Sequence, residues 1–217
     1  MRPAAASAVL GLALAVGAPT AWVLNRPEAA AGIPVEQALP APAPPAGAGA
    51  LPAIPPVTTR DAAPAAAPTA SAPTRISAPS LGVDAPVDAV GIAADGQMEL
   101  PEDVSSVGWY RFGPVPGTAG SAVLAGHVDD RVQGPGALYP LKDAAVGDEV
   151  VVTDAAGALT RWRVVSREVI TKQALPVERI FARDGAPRLT LITCGGPFLP
   201  EYRSYRDNVV VVAEPTP

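Results

Sequence analysis

From Thr74 onward the chain is cut into short runs rich in Val, Ile and Thr: Ala85–Ile92, Ser121–Ala125, Glu149–Thr153, Thr160–Ile170, Arg188–Thr193 and Asn208–Ala213. Turn-forming residues separate them, at Ala94-Asp95-Gly96, Gly113–Gly117, Gly134–Gly136 and Asp154–Gly157. No long stretch repeats its apolar residues at helical spacing, so these runs predict strands. Two short helical turns are expected, at Ala137–Leu141 and Val177–Ala182. Many short strands at this spacing predict a mostly-β barrel or sandwich, and roughly 140 residues are enough for one ordinary domain.

What precedes this domain has a different texture. Met1-Arg2 is followed by an uncharged, apolar run from Pro3 to Leu24, then Asn25-Arg26. A run of about 20 apolar residues is what a helix needs to cross a hydrocarbon core. The positive charge at its start favours the cytoplasmic side, so the rest of the chain is expected outside the cytoplasm. Residues 1–26 are therefore predicted as a single-pass anchor in the cell membrane. A cleaved signal peptide is the rival, because Ala29-Ala30-Ala31 resembles a small-residue cleavage site. Residues 27–73 hold 12 Pro and 17 Ala among 47 positions. Such a composition buries too little apolar surface to offset its ordering entropy, so a disordered, semi-stiff spacer is expected there. The catalytic or binding body is then assigned to residues 74–217.

Charge excludes one class of partner. The net charge is −5 and no run of Lys or Arg exists, whereas a nucleic-acid surface needs a concentrated basic face. Nucleic acid is not predicted as a partner.

The chain has one cysteine, Cys194, and one histidine, His127. No internal disulfide is possible, and a lone cysteine in an exported protein is either a reactive thiol or a small buried hydrophobe. Cys194 ends the strand run Arg188–Thr193 and precedes Gly195-Gly196-Pro197; His127 ends the run Ser121–Gly126 and precedes Val128-Asp129-Asp130. Both singletons thus fall at strand-to-loop boundaries. A histidine can share a thiol's proton and later protonate a leaving amine, which is the chemistry of covalent thiol catalysis. Their spacing matches no common zinc pattern, and no metal is predicted. The last strand begins Tyr202-Arg203-Ser204-Tyr205-Arg206-Asp207-Asn208. Basic residues there act either as edge charges or as donors to a substrate carbonyl or oxyanion.

Leu124-Ala-Gly-His127, Leu189-Thr-Leu-Ile-Thr-Cys194 and a terminal strand led by Arg resemble the sortase family across residues 76–213. Thr-Cys-Gly-Gly together with Tyr-Arg-Asp-Asn-Val-Val-Val is similar to the actinobacterial class F group. The resemblance implies an eight-stranded β-barrel that cuts an LPxTG-like sorting signal between Thr and Gly. Cys194 would form a thioester, and an amine, typically on a cell-wall precursor, would resolve it. His127 and Cys194 map to the family's catalytic residues and Thr193 to a residue that contacts substrate. In many members the arginine stands where this chain has Asn208; Arg206, on the same strand face by period-two alternation, is assigned the role, with Arg203 as the alternative. No cofactor is implied, and no acidic cluster suggests the calcium site found in some class A members.

Rival readings remain. An L,D-transpeptidase would carry a compact Ser-His-Gly-Cys pattern, which is absent. Within the family, a hydrolase or a pilin polymerase would differ only in what resolves the thioester. A non-catalytic β-barrel binding module would not need both singletons at strand ends.

Overall fold

A computed structural model describes residues 29–41 and 71–216. The apolar run 3–24 and most of the Pro/Ala-rich stretch lie outside the described residues, and no described helix is long and apolar enough to cross a membrane.

The elements in chain order are β1 (Ala30–Gly32), α1 (Val35–Ala38), β2 (Pro73–Ala78), β3 (Val83–Val90), β4 (Val107–Tyr110) and β5 (Ser121–Ala125). They continue with β6 (Asp129–Asp130), β7 (Gly134–Pro135), β8 (Glu149–Asp154), β9 (Leu159–Thr171), α2 (Val177–Ile180), β10 (Arg188–Leu199) and β11 (Ser204–Pro215). Eight strands follow one another around a ring in the order β9-β11-β10-β5-β4-β3-β2-β8, and β8 pairs back onto β9. The result is a closed barrel, which leaves no open sheet edge of its own. Neighbours are antiparallel except β3–β4 and β5–β10, which are parallel. The six expected strands are present, but β10 runs six residues past its expected end at Thr193, so Cys194 lies inside the strand, paired with Asn208, and not at the expected strand-to-loop boundary. The helical turns occur as a 3-10 turn at Tyr139–Asp143 and as α2. Strands β2 and β4 were not legible: β2 carries Pro, Arg and Ser, and β4 is four residues long with a glycine inside.

Period-two alternation fills the barrel. Leu189, Leu191, Val209, Val211 and Ala213 point inward to meet Ile76, Leu124, Val150, Trp162 and Val164. The residues between them point outward, yet Val210 and Val212 are also buried. They pack with Val123, Ile180 and the N-terminal Val35, Ala38 and Leu39. That double burial explains why Val209–Val212 reads as a continuous apolar run rather than an alternating one.

The N-terminal segment departs from its expected role as spacer. Residues 29–41, assigned to the spacer by composition, lie on the barrel. β9 pairs with β8 only over Leu159–Arg163, and β1 takes over the same edge at Ser166–Glu168. The Val35 backbone N–H donates to the Glu168 carboxylate at 3.1 Å. Arg188 donates to the Ala38 carbonyl at 2.7 Å, and Arg179 to the carbonyls of Leu39 and Pro40 at 3.2 and 3.3 Å. A Pro/Ala-rich average conceals the spacing of Val35, Ala38 and Leu39, which places three apolar side chains on one side of a single helical turn.

Removing the Leu39 side chain leaves a hole over Val210 and Val212. Leu39→Ala is expected to lower unfolding stability by about 2–3 kcal/mol in urea, within the range for buried leucine truncation. An unchanged midpoint would mean that residues 29–41 are only a tether.

Candidate active site

Parallel pairing of β5 with β10 places the two singletons together. The register runs from Ser121↔Arg188 to Ala125↔Ile192. Just past its end, the Gly126 N–H donates to the Ile192 carbonyl at 3.1 Å. The buried Thr193 hydroxyl donates to the Gly126 carbonyl at 2.8 Å. At the other end of the pair, the Ser121 and Thr190 hydroxyls share a buried hydrogen bond of 2.8 Å. Continued by two residues, this register brings His127, just beyond β5, level with Cys194 in β10. Thr193, assigned to substrate on resemblance, is instead buried, with its hydroxyl used to lock this register.

His127 is oriented by a third group. Its Nε2 lies 3.0 Å from the Pro101 carbonyl. A carbonyl only accepts, so Nε2 carries the hydrogen and Nδ1 is the neutral ring's acceptor. Gly136 packs where a Cβ would strike the His127 carbonyl, and its N–H donates to the Val128 carbonyl at 2.9 Å. The β6–β7 hairpin therefore folds tightly against the histidine. Asp130 fixes its tip by accepting from the Val132 and Gln133 N–H groups at 2.7 and 2.9 Å.

His127 and Cys194 line one groove of about 640 Å³, whose walls include Asp129, Arg131, Phe198, Arg203, Ser204 and Tyr205. One wall is the β6–β7 hairpin and the other is the β10–β11 turn. The Tyr205 hydroxyl joins them, donating to Asp129 at 2.6 Å, while its ring stacks edge-on against Phe198 with centroids 5.3 Å apart. That hydrogen bond to a carboxylate, with burial behind it, pushes the Tyr205 phenol up to about 12.

Cys194 is a half-buried free thiol. Burial pushes its pKa up, Lys172 draws it back, and Asp129 adds to the rise. The net direction is upward. Lys172 follows β9 and donates to the Ser204 hydroxyl at 2.7 Å. Nothing in the sequence singled out Lys172.

The arginines divide. Cys194 faces Asn208 across the β10–β11 pair, and Arg206 lies two residues along β11. Its guanidinium forks onto Asp207, with Nε–Oδ1 and Nη2–Oδ2 both 2.8 Å. The Asp207 side chain is 4% exposed and that of Arg206 53%. Arg206 holds the Asp207 carboxyl below the usual carboxylate range. Gly196, with φ of 70°, sits where a Cβ would collide with that carboxylate, so the glycine makes room for the pair. Arg206 does not line the groove; Arg203 does. Arg203 reaches it from the turn after β10, where its own φ is 48°.

Among the described residues no cluster of His, Cys, Asp and Glu is placed to hold a metal ion.

The sortase domain pattern matches residues 76–216. The chain belongs to the sortase family. Solved sortases share its fold. Sortase A of Listeria monocytogenes is 24% identical, with a TM-score of 0.51, over 68% of this chain and 88% of that one. Sortase C-1 of Actinomyces oris is 21% identical, with a TM-score of 0.51, over 66% of this chain and 73% of that one. A lid mutant of sortase A from Corynebacterium diphtheriae is 18% identical, with a TM-score of 0.51, over 67% and 70%. A search of curated protein sequences gives no match. Sortases are cysteine transpeptidases, and this sortase has a single cysteine.

The Tyr205–Asp129 bridge has a spectroscopic signature. In an ultraviolet titration, the difference between wild type and Tyr205→Phe is expected to show a phenol ionising near pH 12. Asp129→Asn should return it toward the ordinary value of about 10; a wild-type Tyr205 already titrating there would contradict the bridge.

Proposed function

We propose that this sortase is a membrane-tethered, extracytoplasmic transpeptidase of the class F type, which cleaves an LPxTG-like sorting signal between Thr and Gly and joins it to a cell-wall amine. The observation that carries the reading is the convergence of the chain's only cysteine, within β10, and only histidine, just after β5, in one groove. The uncharged run Pro3–Leu24 behind Arg2 supports the tether. Thr193-Cys194-Gly195-Gly196 and Tyr205-Arg206-Asp207-Asn208 support the class, and they belong together physically because Gly196 leaves the space that the Asp207 carboxylate fills.

The chemistry follows from the geometry. The Cys194 thiol gives its proton to Nδ1 of His127, and the thiolate attacks the Thr carbonyl carbon. The tetrahedral oxyanion collapses as His127 returns that proton to the departing Gly nitrogen, leaving a Thr thioester on Cys194. An incoming amine attacks the thioester, His127 takes its surplus proton, and Cys194 leaves as a thiolate that is then reprotonated. A neutral resting thiol suits this sequence, since each catalytic cycle begins and ends with the proton on sulfur or imidazole.

An arginine is left to steady the oxyanion. Arg203 has the access, while Arg206 is committed to a buried carboxylate that would be left uncompensated if it turned away. We assign the substrate contact to Arg203 and a holding role to Arg206.

Incubation with an LPxTG peptide and a glycine amine, read by mass spectrometry, is expected to give the ligated product. Cys194→Ala should abolish it, and His127→Ala should lower the rate by about 10²–10⁴. No product from folded protein across a panel of motifs would favour a binding module.

The arginine assignment separates in the same assay. Arg203→Ala is expected to lower kcat/KM by about 10²-fold with an unchanged melting temperature, and Arg206→Ala chiefly to lower the melting temperature. The reverse pattern returns the substrate contact to Arg206.

A further inference from the structure

Lys172 is a cation beside the groove that the proposed chemistry leaves unused, as is Arg131 on the hairpin wall. Lys172 directly follows Thr171, the last residue of β9, which pairs with Asp207 on β11; Asp207 in turn pairs with Gly195, next to the cysteine. Ile170 is level with Cys194 across β11, so Lys172 lies two residues past that level, on the same strand face by period-two alternation. Its side chain crosses the start of β11, and its ammonium donates to the Ser204 hydroxyl at 2.7 Å. Ser204 lines the groove with Cys194.

The partners of the neighbouring cations decide what this one can do. Arg206 is neutralised by Asp207 at 2.8 Å. Among the described residues Lys172 has no carboxylate partner, and its recorded bond is to a neutral hydroxyl. A hydroxyl fixes the ammonium in place without cancelling its charge, so that charge is free to act on an anion beside it.

We propose that Lys172 is the cation that stabilises the Cys194 thiolate in this chain, held at the sulfur by Ser204. The proposal rests on Cys194 being the nucleophile. Its chemical sense is an offset: a half-buried sulfur with Asp129 in the same groove resists ionisation, and the charge of Lys172, fixed by Ser204 on the groove wall, opposes both effects. The other charged or titratable groups that line the groove with Cys194 are His127 after β5, Asp130 and Arg131 from the β6–β7 hairpin, Tyr205 from β11, and Arg203 at the rim. Of these, His127 exchanges the proton. Lys172 moves none; it lowers the energy of the thiolate that the transfer leaves behind.

The test is the rate of Cys194 alkylation by iodoacetamide as a function of pH, on the full chain. Lys172→Met is expected to move the midpoint upward and slow alkylation at pH 7.5 by about tenfold, with the rates converging at high pH where the sulfur is ionised in both proteins. Lys172→Arg should restore most of the rate, and Ser204→Ala should shift the profile the same way by less. A Lys172→Met protein with the wild-type profile overturns the proposal. If that variant does not fold, Lys172→Gln is judged by the same criterion. The assay uses no peptide, so a wild-type enzyme that fails to ligate would overturn the functional reading while the alkylation result still decided the role of Lys172.

Discussion

The parallel pairing of β5 with β10 is the constraint on which the site depends. His127 follows the end of β5, and Cys194 lies within β10, two residues past the last β5–β10 pair. Their relative register is therefore the geometry of the site, and a slip of one residue would turn His127 or Cys194 to the opposite face. Three side-chain and backbone bonds hold that register: Ser121 with Thr190, Thr193 with Gly126, and Gly126 with Ile192. Two of them are buried hydroxyl bonds, where an unmade partner would carry a full desolvation penalty. Thr193 illustrates the economy of the arrangement, since a residue adjacent to the nucleophile acts through backbone position.

Around that fixed pair, charge is distributed by what is buried. Asp207 is sealed inside and needs Arg206. Asp129 is at the surface and is bridged by Tyr205, which ties the two groove walls together. Lys172 is held by a neutral hydroxyl and keeps its charge. The same barrel end thus contains one arginine paired with a buried carboxylate, one at the groove rim, and a lysine held by a hydroxyl. The outer face below the groove is closed by the N-terminal segment, which uses apolar side chains of its own to cover Val210 and Val212.

Much of this was legible in the sequence, for identifiable reasons. Six strands could be read because Val, Ile and Thr runs were bounded by Gly, Asp and Asn. Cys194 and His127 stood out as the sole members of their types, although β10 continues past the cysteine to Leu199. Alternation placed Arg206 on the cysteine's strand face but could not show that the adjacent Asp207 would be buried and would hold it. The docking of residues 29–41 was hidden because composition averages over positions, whereas burial depends on which three side chains share one turn. Lys172 was hidden because its partner is 32 residues away, and a lysine after a strand is otherwise an ordinary surface residue.

The central claim is that Cys194 is a nucleophile placed to take an acyl group. The most direct measurement is to mix the protein with a sorting-signal peptide in the absence of amine, quench in acid, and map the adduct by peptide mass. A thioester of the peptide's Thr-terminal fragment on the segment containing Cys194, absent from Cys194→Ala, is the predicted result. A folded protein that gives no adduct across varied motifs, or an adduct on another residue, would contradict it.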